Sequence, residues 1–240
     1  MPYRGGDCFS EETPLNRRSL RPAARRPSSV LFARIKAEAR ACFDKARGSH
    51  DWDHTERVLR LCLRIGRKEK ADLTVLEFAA VLHDIGRADE DRTNGRVCHA
   101  EAGARRAGAI LEKHGLAAET IARVVHCIET HRYRKALRPE TIEARVLFDA
   151  DKLDSIGAVG IGRAFLFAGE VGARLHDQDI VVEKTRPYTR DDTAYREYLV
   201  KLRHLKDRLT TTEGKRIARE RHAFMKAFFA RLHKETDGIL

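Results

Sequence analysis

The sequence predicts an all-α protein whose folded part is a single domain, and three observations carry that prediction. Apolar residues recur at helical spacing nearly throughout from Ser29 onward. No alternating pattern of useful strand length and no internal repeat is visible. A chain of 240 residues, 42% of them hydrophobic, is long enough to bury a substantial core without disulfide or metal cross-links.

Capping residues and apolar stripes divide this pattern into helices. Ser28 or Ser29 can cap the first helix and Thr74 the third, while Pro139 fits the first turn of the sixth. The third helix is apolar nearly all round, which predicts a central, buried position. The predicted helices cover residues 29–47, 52–68, 75–85, 99–114, 118–131, 139–153, 192–209 and 213–235.

Three segments between these helices are predicted to be non-helical. Residues 87–97 are polar and form a predicted loop. The glycines at positions 157, 160 and 162 are expected to break the helical pattern, and residues 174–190 look irregular.

Residues 1–28 are predicted to be a disordered leader that precedes a helical domain at residues 29–240. The leader holds four of the six prolines and several arginines, and it shows no apolar period. It lacks the apolar core of a secretory signal, although an Arg-rich transit peptide stays open. The whole chain carries a formal charge of +11, which favours anionic partners such as nucleotides, nucleic acid or anionic surfaces.

The cysteine count and the hydropathy pattern give two further expectations. Five cysteines, an odd number without a Cys-x-x-Cys pair, predict a reduced, cytoplasmic location. No apolar run approaches the roughly 18 residues that a membrane span needs, so no membrane partner is expected.

The pair His83-Asp84 is the first chemical signal. Two other His-Asp pairs occur in the chain, but only this one ends a predicted buried helix, in the context Val-Leu-His-Asp-Ile-Gly. Burying an unpaired carboxylate there would cost several kcal/mol, so an arginine or a metal ion should compensate it. Mixed imidazole and carboxylate ligation suits Mn, Fe, Co, Ni, Zn or Mg, and such an ion can activate water and neutralise phosphate oxygens.

Four segments together resemble one bacterial single-domain subgroup of the HD superfamily of metal-dependent phosphohydrolases. These segments are Ser49-His-Asp-Trp-Asp-His54-Thr-Glu-Arg57-Val, Val81-Leu-His-Asp-Ile-Gly86, Asp149-Ala-Asp-Lys-Leu-Asp154 through Arg163, and the tail from Thr211 to Met225. The resemblance covers roughly residues 30–236. Members similar to this chain include manganese-dependent nucleoside triphosphate pyrophosphohydrolases.

The resemblance implies a metal site and the residues that hold it. The implied metal ligands are His54, His83, Asp84 and Asp151. Asp151 is preferred to Asp149 because the superfamily's last ligand lies in an Ala-Asp-basic-Leu context, here residues 150–153.

Several neighbouring residues are candidates for catalysis or for substrate binding. His99 and His131 could act as second-metal ligands, phosphate contacts or proton donors, or make a single structural hydrogen bond. Asp154 lies one turn after Asp151 and could orient or deprotonate the attacking water, or support a ligand histidine. The candidates for binding substrate phosphate are Arg57, Arg87 and Lys152, each of which could instead be a structural counter-ion.

The function predicted first is metal-dependent hydrolysis of a phosphate ester or anhydride in a nucleotide. The first expected reaction is cleavage of a nucleoside triphosphate to monophosphate and pyrophosphate. Hydrolysis of nucleoside monophosphates, cyclic nucleotides and alarmones follows in that order of expectation. The alternative is a nucleic-acid-binding or regulatory helical protein that uses the basic charge. No helix-turn-helix or zinc-finger motif supports it, and aromatic residues make up only 7%. The oligomeric state is not predicted.

Overall fold

A computed structural model describes residues 28–43, 52–93, 95–132 and 138–240. The predicted disordered leader therefore lies outside the described residues, except for Ser28. The α-helices are α1 (Ser29–Ala41), α2 (Trp52–Glu69), α3 (Leu73–Leu82), α4 (Arg87–Arg92), α5 (His99–Lys113), α6 (Ala118–Thr130), α7 (Ile142–Asp154), α8 (Gly157–Glu170), α9 (Ala194–Val200) and α10 (Thr212–Thr236). Short 3₁₀ segments occur at Val182–Lys184 and Leu202–Asp207.

The all-α prediction is confirmed, because no strand occurs among these described residues. Helix α3 is the central element, as predicted, and it packs against α1, α2, α5, α6 and α7. Most of its side chains are fully buried, including Leu76, Phe78 and Leu82. Burying an apolar helix on all sides puts the residues that follow it, His83 and Asp84, inside the protein.

Residues 87–92 correct the predicted loop at residues 87–97, because they form helix α4. Asp89 and Glu90 lie in its first turn, where a negative charge interacts favourably with the helix dipole. Arg87 pairs with Glu90, and Arg92 pairs with Asp89, at i,i+3 spacing. A six-residue helix held by charges has no apolar stripe, so hydrophobic periodicity does not reveal it.

The predicted helix break occurs at Gly157, which has φ of +78° where α7 has ended and α8 begins. Gly160 and Gly162 do not break the helical pattern, which corrects a second prediction. They belong to α8, whose Ile161, Ala164 and Ala168 are buried at helical spacing. A Cβ at Gly160 would lie 2.2 Å from the carbonyl oxygen of Ser155. Glycine at this position therefore allows α8 to begin immediately against the turn that ends α7.

Several predicted boundaries also shift because the capping residues differ. Asp72 caps α3 in place of Thr74, and its Oδ1 accepts hydrogen bonds from the N–H groups of Thr74 and Val75. Thr141 caps α7, so Pro139 lies before the helix. The predicted helix at residues 192–209 divides into α9 and the second 3₁₀ segment.

The predicted irregular stretch at residues 174–190 contains only the first 3₁₀ segment. In the described part of the chain, no helix combines the length and the apolar character that crossing a bilayer requires.

Candidate metal centre

The four implied metal ligands converge in the core from three elements. His54 lies in the first turn of α2, His83 and Asp84 follow α3, and Asp151 lies on α7. The Nε2 atom of His54 lies 3.3 Å from Nε2 of His83 and 3.4 Å from Oδ1 of Asp151. One donor atom from each of these three residues lies within 4.8 Å of the others, a spacing that could hold a metal ion.

A second group of donors lies beside the first and is formed by Asp84, His99 and His131. Nε2 of His99 lies 3.3 Å from Oδ1 of Asp84 and 3.2 Å from Nε2 of His131. The other carboxylate oxygen, Oδ2 of Asp84, faces the first group at 3.7 Å from His83 and 3.8 Å from His54. Asp84 is thus shared, with one oxygen directed to each group.

The hydrogen bonds of the histidine rings indicate that both donor groups suit a cation. His83 donates its Nδ1 proton to the carbonyl of Ala80 over 2.8 Å, and His131 donates in the same way to Ile128 over 2.6 Å. Burial lowers the pKa of both rings, that of His131 to about 3. Both are therefore neutral, with the Nε2 lone pair directed into the centre.

His54 shows the same preference for positive charge. It donates its Nδ1 proton to Asp154, so its Nε2 lone pair would face that of His83 across 3.3 Å unless a cation or a proton lay there. Burial lowers the pKa of His54, but hydrogen bonds to Asp151 and Asp154 outweigh burial and raise it to about 9. Neutral imidazoles and carboxylates are the ligand set of borderline divalent metals, and these residues fit such an ion.

Asp154 lies behind the first group, on the far side of the His54 ring. Its Oδ2 accepts from His54 Nδ1 at 2.8 Å and from Arg163 Nη1 at 2.9 Å, and its Oδ1 accepts from Arg57 Nε at 2.7 Å. Burial opposes ionisation of this carboxyl, but the hydrogen bonds from His54 and Arg57 hold its pKa well below the usual range. Of the two roles predicted for Asp154, support of a ligand histidine matches this geometry.

The three predicted phosphate-binding side chains all lie close to the centre. Arg57 is engaged with Asp154, which is the counter-ion arrangement. Lys152 places Nζ 2.7 Å from Oδ2 of Asp151. Arg87 places Nη2 3.4 Å from both oxygens of Asp84, and its buried Nε has no hydrogen-bond partner among the residues that the structure describes.

The sequence did not indicate Glu90, Arg132 or Arg163 as part of the site. The Glu90 carboxylate, which is almost fully buried, contacts His99 Nδ1 and Nη1 of Arg132. Burial raises its pKa, but these two partners outweigh burial and lower it to about 2. Glu90 lay in a predicted loop, and its closeness in sequence to His83-Asp84 was the only signal that could have indicated it.

Asp149 points away from the centre. Its carboxylate accepts hydrogen bonds from the backbone N–H groups and the hydroxyls of Thr210 and Thr211, at 2.6 to 3.0 Å. Asp149 therefore ties α7 to the start of α10. Asp149 and Asp151 are two residues apart, roughly 200° around the helix, so their side chains lie on opposite faces of α7.

A cavity of about 890 Å³ borders the centre. Arg87, Glu90 and Arg132, which contact the centre, form part of its wall. Another part of the wall comes from α8, from the irregular segment before α9 and from α9 itself. The volume is within the usual range for a small-molecule site.

Comparisons with known proteins agree on the class of this protein. The HD domain pattern matches residues 51–156, the range that holds all six donor residues. YpgQ of Bacillus subtilis strain 168, an uncharacterized protein, is 38% identical over 197 residues, which are 79% of this chain and 86% of YpgQ.

Solved structures give the same result. A crystal structure of Bacillus subtilis YpgQ in complex with ADP superposes with a TM-score of 0.68 at 33% identity, covering 86% of this chain and 95% of that one. An HD-superfamily hydrolase from Bacillus thuringiensis gives a TM-score of 0.68 at 26% identity, over 86% and 96%. The class is therefore that of HD-superfamily hydrolases, which are metal-dependent phosphohydrolases. The chain belongs to the HD domain family.

Proposed function

We propose that this protein hydrolyses a phosphoanhydride bond of a nucleotide, and that its first substrate class is nucleoside triphosphates, cleaved to monophosphate and pyrophosphate. The observation that carries the proposal is the shared Asp84 carboxylate, which joins two histidine-containing donor groups beside a cavity with arginines in its wall. The ADP bound to the related YpgQ supports a nucleotide as the ligand.

The metal ligands in this proposal are His54, His83, Asp84 and Asp151 for one ion, with Asp84, His99 and His131 for a second. Of the roles open for His99 and His131, ligation is supported best. Burial lowers the pKa of His99 to about 4 and that of His131 to about 3, so both rings are neutral imidazoles at neutral pH and neither is the imidazolium that a general acid requires. When bound, divalent ions supply Lewis acidity towards phosphate oxygens and lower the pKa of water.

The protein's own side chains bind and orient the substrate. Arg87 and Arg132 lie in the cavity wall next to Asp84 and His99, where a guanidinium can pair with phosphate oxygens. Lys152 is a further cation beside Asp151. Asp154 fixes the ring of His54, and Arg57 and Arg163 in turn hold Asp154.

A substrate panel tests the proposal. Purified protein is assayed with Mn, Mg, Fe, Co, Ni and Zn on nucleoside tri- and monophosphates, cyclic nucleotides and alarmones, with phosphate and pyrophosphate detected separately. Manganese-dependent pyrophosphate release is expected. Phosphate release from nucleoside monophosphates would show a monophosphatase of the same family in place of the proposed pyrophosphohydrolase. No turnover with any metal would contradict the proposal. Cytoplasmic location and nucleic-acid binding stay predictions, and a steep salt dependence of binding is the test of the latter.

A further inference from the structure

Tyr188 is an aromatic residue in the cavity wall, away from the metal ligands in sequence. It lies in the segment before α9 and lines the cavity together with Pro187 and with Phe167 of α8. Resting on the proposed function, we propose that Tyr188 stacks on the base of the bound nucleotide, with Phe167 supporting its ring. Tyr188 would then set affinity for the nucleoside part of the substrate, whereas the donor groups act on the phosphates.

The exposure of Tyr188 is the first observation. Tyr188 is 75% exposed, so most of the ring is open to solvent although it lines a cavity. Burying a large apolar ring against another flat apolar surface is favourable. Bases offer such a surface, and stacking on an aromatic side chain is a common way to hold them.

The backbone of Tyr188 is held in a conformation that a residue with a Cβ rarely adopts, with φ of +62°. Such conformations persist where surrounding contacts fix them. Here the N–H of Tyr188 donates to Oδ2 of Asp192 at 2.8 Å, and Asp192 is buried. Oδ1 of Asp192 accepts from Arg196 Nη1 at 2.8 Å, and Arg196 Nε donates to Thr185 at 2.6 Å.

The ring itself is also positioned. The centroids of Tyr188 and Phe167 lie 5.7 Å apart with an interplanar angle of 79°, an edge-to-face pair. Because Phe167 is part of α8, the pair links the strained segment to a regular helix. A ring fixed at both its backbone and its edge loses little freedom on stacking, which favours binding.

The composition of the cavity wall matches the two parts of a nucleotide. Arg87 and Arg132 lie next to the metal ligands and suit phosphates. Phe167, Pro187 and Tyr188 add an apolar and aromatic surface, which suits a base. Every base has a π face, so stacking predicts that nucleoside triphosphates differing only in base are turned over with similar KM.

The test compares Tyr188→Ala with Tyr188→Phe and with Val181→Ala, a half-exposed apolar residue of the same segment. For nucleoside triphosphates, Tyr188→Ala should raise KM about 5- to 150-fold with kcat unchanged, the range expected for losing one stacked base. Tyr188→Phe and Val181→Ala should behave as wild type. Inorganic tripolyphosphate, which has no base, should show the same KM in all variants.

Calorimetric binding of ADP to the same proteins separates this inference from the proposed function. If wild type binds ADP and Tyr188→Ala binds it about 5- to 150-fold more weakly, the stacking inference is supported even if the protein releases no pyrophosphate in the substrate panel. Equal ADP affinity in wild type and Tyr188→Ala, or no ADP binding by wild type, overturns the inference. A change in KM for tripolyphosphate in Tyr188→Ala would also overturn it, because the loss would not depend on a base.

Discussion

His54 donates its Nδ1 proton to the buried carboxylate of Asp154 over 2.8 Å. This bond turns the other ring nitrogen, Nε2, towards His83, Asp84 and Asp151. A carboxylate behind a ligating imidazole fixes the ring and makes it a better donor. Asp154 is therefore predicted to support the centre through His54 without facing it.

Replacing Asp154 by asparagine tests this positioning role. Asp154→Asn keeps the size of the side chain but removes the negative charge that holds His54, Arg57 and Arg163. Metal affinity should fall about 10- to 100-fold, measured by equilibrium dialysis against manganese. Phosphohydrolase activity should return at high manganese, as a positioning role predicts. Wild-type metal affinity in Asp154→Asn would contradict it.

His131 tests whether the second donor group holds an ion. With both groups filled, wild type should carry two divalent ions per chain by elemental analysis. His131→Ala should carry one, because the group formed by His54, His83 and Asp151 stays intact. His126→Ala is the matched control and should carry two, because His126 lies on α6, the helix that His131 directly follows, but outside both groups. A single ion in wild type, unchanged in His131→Ala, would refute the second site.

Two glycines of α8 offer a matched pair for stability. A Cβ at Gly160 would lie 2.2 Å from the carbonyl oxygen of Ser155, whereas a Cβ at Gly162 would have no atom of the described part of the chain within 4 Å. Gly160→Ala should lower the free energy of unfolding by about 1–3 kcal/mol, because backbone must move. Gly162→Ala should raise it by about 0.5–1 kcal/mol, because alanine favours a helix interior. Urea denaturation measures both free energies of unfolding. Equal effects of the two substitutions would contradict the close contact between Gly160 and the Ser155 carbonyl.

Glu38 gives a pH-dependent contribution to stability. Its carboxylate accepts from His114 at 2.9 Å and Lys113 at 3.0 Å, which joins α1 to the end of α5. The hydrogen bonds from His114 and Lys113 lower the pKa of Glu38. A lowered pKa stabilises the fold above the ordinary pKa of the carboxyl group, and this contribution disappears as pH falls through the folded-state value.

Glu38→Gln should therefore cost at most about 1 kcal/mol at pH 7, since the pair is partly exposed. The difference from wild type should shrink as the pH falls below about 4. Urea midpoints at several pH values measure it. A difference that grows on acidification would have the wrong sign for this pair.

The sequence predicted the parts of the fold that depend on apolar periodicity. Helix α3 is apolar nearly all round, and its burial carries His83 and Asp84 into the core. Helix α4 was missed because charge pairs stabilise it, and α8 because glycines that allow a close approach resemble helix breakers.

The sequence predicted which residue types could bind a metal, but it predicted few of the residues that hold those side chains in place. The resemblance named the residues that converge, but the partners of Asp154 and the contacts of Glu90 depend on packing between distant helices. Arg163 and Arg132 gave no spacing signal of their own. Tyr188 became notable only through its backbone conformation and its place in the cavity wall.

The most direct test of the account uses one residue, Asp84, whose two oxygens serve both donor groups. Metal content and pyrophosphate release from nucleoside triphosphates are measured on the same samples of wild type and Asp84→Ala. Wild type is expected to hold divalent metal and to release pyrophosphate, and Asp84→Ala is expected to lose both while keeping its helical circular dichroism. A folded Asp84→Ala protein that retains its metal and its turnover would contradict it.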